Sequence, residues 1–236
     1  MNKSLRAREL RPNVRSQTLD ELAAWTEARG FPAYRGNQIA GWLYNRPLTA
    51  VEDMHNLPAV LREALLHDFD CSSPTVAKRS DSVDGTTKLL IGLADAKVVE
   101  SVIIPRDERI TLCISSQVGC ALACSFCETG RLGFLRNLEP WEMVEQALVV
   151  RRESPERPTT GVVFQGQGEP LQNYDNVMQA ARVLRDPCGA RIGRDRITIS
   201  TVGLLPQIER YLEERQPYRL ILSLSSAFPE KRERLV

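Results

Sequence analysis

The chain has 236 residues with 42% apolar content, enough to bury a proper core in one or two domains. Its 31 Lys and Arg nearly cancel 30 Asp and Glu, and the resulting charge of +1 neither demands nor excludes a nucleic-acid partner. No apolar run approaches the roughly 20 residues that span a bilayer, and no apolar signal core follows Met1, so membrane and export classes fall away. Six Cys, three of them closely spaced as metal ligands are, fit a reducing cytoplasm.

Taken in chain order, Lys3, Arg6, Arg8, Arg11 and Arg15 crowd the N-terminus. A phosphate-contacting arm and a solvated terminus both fit them. Thr18 and Glu21 make a capping-box pair ahead of Leu22 and Trp25, predicting a helix that Gly30-Phe31-Pro32 ends. A second helix is expected over Gln38–Asn45, with Ile39, Trp42 and Leu43 on one face, and a third after Pro58. Residues 1–72 thus read as a helical accessory domain, suited either to touching nucleic acid or to capping a neighbour. Asp84-Gly85 marks a turn and Lys97–Ile104 has strand character, so 73–105 reads as a β-meander leading to a strand at Ile110–Ser115.

Cys120, Cys124 and Cys127 follow that strand as C-x3-C-x2-C. Three thiols this close cannot all pair with one another, but they can bind three irons of a [4Fe–4S] cluster and leave the fourth open to a small molecule. Phe126 is expected to shield the cluster. A zinc knuckle, which needs a fourth ligand, and buried structural cysteines are the alternatives. Beyond the triplet, helices at Pro140–Arg151, Asn176–Leu184 and Leu205–Glu213 alternate with strands at Gly161–Gln165, Arg196–Ser200 and Arg219–Ser223. That alternation predicts parallel βα units, so the fold class is α/β, with 106–236 as a partial (β/α) barrel of four units. Gly168-Glu169-Pro170, Ser200 and Ser223-Leu224-Ser225 stand at strand ends, where such barrels place their sites. Tight turns and helix caps would explain the same residues.

The triplet with its flank Thr111–Leu122, together with Tyr34–Ile39, Gly166–Leu171 and Ile199–Gly203, resembles the RlmN/Cfr group of the radical S-adenosylmethionine (SAM) superfamily, in order over nearly the whole chain. These are dual-specificity RNA methyltransferases acting on an adenine ring carbon. The resemblance implies a [4Fe–4S] cluster on Cys120, Cys124 and Cys127, and SAM contacts from Gly168, Glu169, Ser200, Ser223, Leu224 and Ser225. It also implies a general base at Glu100, and at Cys113 a thiol that forms a disulfide with a distal, methyl-carrying Cys. Partners implied are 23S rRNA, with tRNA as a further candidate, and a reductase such as flavodoxin or ferredoxin, serving a cytoplasmic monomer. The chain departs from the pattern at Ser225, where relatives carry His, and at Gln165 and Gln167, where they are apolar. No residue is placed to be the distal Cys, so the chain is expected to be truncated at its C-terminus. A paralogue with another substrate and a non-catalytic RNA-binding relative remain as alternatives.

Overall fold

The computed structural model describes residues 11–45, 50–107, 109–153, 159–187 and 191–236. Helix α1 (Leu19–Ala28) starts on the expected capping box, Thr18 and Glu21 each satisfying the other's backbone N–H. Helix α2 spans Tyr34–Asn45, four residues longer at its start than the sequence suggested. Gly36 lies inside it, where a Cβ would stand 2.6 Å from the Ala23 nitrogen, so this glycine admits α1 at close range instead of breaking the helix. Helix α3 (Ala59–Asp68) follows Pro58. Of the basic N-terminal side chains, Arg11 donates to the Leu66 and His67 carbonyls, and Arg15 is buried. Both are thus engaged by the protein's own groups; Lys3, Arg6 and Arg8 lie outside the described residues.

Strands β1 (Thr75–Asp81), β2 (Thr87–Gly92), β3 (Val98–Arg106) and β4 (Arg109–Ile114) form an antiparallel run. Strands β7 (Thr159–Phe164), β8 (Ile197–Thr201) and β9 (Arg219–Leu222) add to β4 in parallel, giving one seven-stranded sheet of order β1-β2-β3-β4-β7-β8-β9. The meander and the βα units thus share a sheet, which is open and not a closed barrel. A second, two-stranded sheet pairs β5 (Gln117–Gly119) with β6 (Phe134–Asn137), and sequence reading gave no sign of it.

Alternation sorts the large sheet into two faces. Leu89, Ile91, Val99, Leu112, Ile114, Val162, Phe164, Ile197 and Ile199 are buried in the core. Helix α5 (Pro140–Glu153) packs on β4 and β7 and against α6 (Tyr174–Arg185). It is buried on every side from Glu142 to Val150, because the N-terminal segment covers its far face. Its polar residues are all engaged. Glu145 meets Arg15 at 2.5 Å, as an ion pair without hydrogen-bond alignment, and Arg152 at 3.1 Å. Glu142 accepts two bonds from Arg136, at 2.7 and 2.8 Å. Among the described residues no helix is long and apolar enough to cross a membrane.

Candidate functional site

Parallel strands β4, β7, β8 and β9 deliver their C-terminal loops to one edge, and all the candidate residues except Glu100 and Cys113 sit on those loops or at the strand tips. Gly119, with φ 78°, ends β5, and a Cβ there would lie 1.7 Å from the Gly133 carbonyl oxygen. Only glycine allows that crossing, and it closes the base of the cysteine loop, where Cys120 N–H donates to Gly133 O at 3.1 Å. Inside the loop, Cys127 N–H donates to Cys124 O at 2.9 Å, and the short helix α4 (Glu128–Arg131) follows. This turn faces outward, so Phe126 is 64% exposed and its ring does not cover the thiols.

Cys120, Cys124 and Cys127 are free and partly exposed, as Cys71 and Cys113 are free; Cys188 lies outside the described residues. Burial, together with the neighbouring thiols and Glu169, pushes Cys120 and Cys124 above the ordinary thiol range. Such mutual opposition to ionisation is relieved by a bound cationic centre. Among the described residues, no three His, Cys, Asp or Glu side chains converge on one metal point.

The loop after β7 presses on the start of the cysteine segment. A Cβ on Gly166 would meet Ser115 Oγ at 2.7 Å, and one on Gly168, at φ 98°, would meet Gln117 Cβ at 2.5 Å. These glycines permit close approach to the protein's own chain. Ser115 Oγ accepts from Gln167 N–H at 2.9 Å and donates to Glu100 O at 2.6 Å. Buried Gln146 accepts from Ser115 N–H at 2.8 Å and from the Ser101 hydroxyl at 2.7 Å, and donates to Ser115 O at 3.0 Å. Gln117 accepts from Glu169 N–H at 2.9 Å and donates to Asn137 at 2.8 Å. Sequence reading missed Gln117 and Gln146, since only the folded sheet brings their partners near.

Glu169 is 3% exposed. One carboxylate oxygen accepts from Leu171 N–H at 3.0 Å and the other from Val202 N–H at 2.9 Å, tying the β7 loop to the tip of β8. Ser200 and Ser223 meet across β8 and β9 with their hydroxyls 3.1 Å apart. Leu224 and Ser225 are exposed, and Ser225 holds a left-handed φ of 59°. Cys113 and Glu100 point to the sheet face opposite the core. Val102 pairs with Cys113, which puts Glu100 on the diagonal, about 7–8 Å away. Burial pushes the Cys113 thiol up, against the Gln165 backbone. The Glu100 carboxylate pairs with Lys88 at 3.1 Å.

Residues 114–235 match the family model described as the radical SAM superfamily, and residues 12–69 match the ribosomal RNA large subunit methyltransferase N-terminal domain. The chain belongs to the RlmN family of radical SAM proteins. It is 43% identical to a probable dual-specificity RNA methyltransferase RlmN of Gemmatimonas aurantiaca, over 86% of this chain and 56% of that one. It is 42% identical to the dual-specificity RNA methyltransferase RlmN of Syntrophobacter fumaroxidans, over 94% and 65%. The crystal structure of a radical SAM methyltransferase from Sphaerobacter thermophilus superposes with a TM-score of 0.87 at 37% identity, covering 95% of this chain and 67% of that one. The chain therefore spans less than two thirds of these RlmN relatives' length, and its sheet is the radical SAM fold.

Proposed function

We propose that this chain carries the cluster and SAM machinery of an RNA methyltransferase acting on an adenosine ring carbon, with C2 of 23S rRNA adenosine foremost and tRNA as a second substrate. The observation that supports it most is the cysteine loop: three free thiols on one loop that is closed at its base by Gly119 and Gly133 and whose leading segment is held against the Gly166–Glu169 turn. Cys120, Cys124 and Cys127 would hold a [4Fe–4S] cluster. When bound, the cluster and SAM supply a 5′-deoxyadenosyl radical by one-electron cleavage. The chain's own residues bind and orient. Gly168 and Glu169 flank the thiols, and the Ser200–Ser223 pair with Leu224 and Ser225 offers hydroxyl and backbone groups to the methionine and ribose parts of SAM. Oxygens of Glu169 keep a free lone pair each for a further donor.

Glu100 and Cys113, close together on the open sheet face, would meet the substrate base. Glu100 is suited to accept a proton from the ring carbon. Cys113, whose thiol burial keeps protonated until it is called on, would as a thiolate attack the sulfur of a distal Cys bonded through its methyl-derived carbon to the base, forming the disulfide as that carbon–sulfur bond breaks and its electron pair stays on the carbon. A flavodoxin or ferredoxin system would supply electrons to a cytoplasmic monomer. Ser225 in place of His favours a second reading, a paralogue with another substrate, which RNA methylation profiles from cells lacking the gene would separate. Anaerobic reconstitution tests the primary reading. A brown protein that releases 5′-deoxyadenosine from SAM on reduction is expected, and a protein that takes up no iron would overturn it.

A further inference from the structure

On the parallel half of the large sheet, the face opposite the core sets Cys113 of β4, Val163 of β7 and Thr198 of β8 in one row. Phe164 turns into the core, so alternation returns Gln165, at the tip of β7, to this open face. Phe164 pairs with Ile199, and the same register carried one residue further puts Gln165 beside Ser200. The Gln165 backbone N–H hydrogen-bonds the Cys113 sulfur. Gln165 thus stands between the Cys113–Glu100 pair and the Ser200–Ser223 pair. One residue on, Gly166 meets Ser115 at the root of the cysteine loop. The far rim of that loop is tied down by Ser125, whose N–H donates to Leu235 O at 2.9 Å.

Gln165 is exposed, and its side-chain amide has no hydrogen-bond partner among the described residues. The nearby amides of Gln117 and Gln146 are engaged by the protein's own chain. Of the described residues that alternation places on this face, only Gln165 carries an amide. We infer that the Gln165 side chain reads the substrate base: its amide oxygen accepts from the adenine amino group and its NH2 donates to the ring nitrogen beside that group. The inference rests on the reading above, in which Cys113 and Glu100 meet the same base. A hydroxyl donates or accepts as its rotor allows, whereas an amide offers one acceptor and one donor side by side, the complement of an adenine edge. A base splayed from single-stranded RNA presents that edge to a side chain.

The test measures RNA binding by fluorescence anisotropy on the anaerobically reconstituted chain. The probes are a hairpin RNA whose loop carries one adenosine and the same hairpin with purine riboside there, which lacks only the amino group. Wild type is expected to prefer the adenosine hairpin about tenfold, within the range a good amide–adenine pair gives. Gln165→Met, close in size but unable to accept from the amino group, should bind both hairpins alike. Gln165→Glu keeps an accepting oxygen and should keep the preference. SAM binding by equilibrium dialysis should be equal in all three proteins. A Met variant that discriminates as wild type does would overturn the inference, as would a wild type that binds both hairpins equally. A loss confined to SAM binding would also overturn it, because the amide would then serve the cofactor's own adenine. Wild type binding neither hairpin would instead sink the RNA-substrate reading.

Discussion

Cys71 follows α3 with its carbonyl accepting from Arg15, and burial pushes its thiol up to about 11 from the ordinary 9.0, partly offset by the Arg15 charge. The folded state therefore holds this proton more tightly than the unfolded chain. The resulting stabilisation is fully present below pH 9.0 and is lost as pH rises toward about 11. Compared with Cys71→Ser in the metal-free chain, wild type should lose stability faster across that window by urea denaturation. Alkylation of native Cys71 should likewise inflect near pH 11; an inflection at 9 would show a solvated thiol. At this scale the sequence revealed the cysteine triplet and the turn glycines, because both are local patterns. It did not reveal that Gly166 and Gly168 make room for Ser115 and Gln117, or that Glu169 binds Val202, because those partners are remote in the chain.

Among the elements, α5 carries the connection between the N-terminal segment and the sheet, and Glu145 is its polar anchor. The carboxylate is fully buried between Arg15 and Arg152 and accepts from Ser73 at 3.2 Å. Glu145→Ala would leave Arg15 buried without its counter-charge. Breaking one side of a buried pair typically costs ~3–5 kcal/mol, and a loss of this size is expected in equilibrium unfolding. A loss below ~1 kcal/mol would mean that water replaces the carboxylate. The capping box at Thr18, the helix after Pro58 and the Leu205–Glu213 helix (α7) are legible because caps and apolar spacing lie within each segment. The β5–β6 pair is not, since its strands are short and the whole cysteine loop lies between them.

For the whole molecule, the sheet grows from an antiparallel margin at β1 to a parallel margin at β9. The β9 margin leaves Ile221, Leu222, Leu224 and Phe228 exposed. Alternating βα segments announced the parallel half in sequence. The fusion of the meander into the same sheet was hidden, because β3–β4 pairing is set by register and not by composition.

The bond from Ser125 to Leu235 joins positions 110 residues apart, and this has a consequence for the order of events during synthesis. A contact so distant in sequence forms only after the intervening strands have been made and docked. Until then the rim of the cysteine loop lacks its Leu235 partner while Gly119 and Gly133 can already cross at its base. The loop would thus be closed at its base before it is latched at its rim. For the cluster proposed above, that interval is when the thiols would be most open to iron and sulfide.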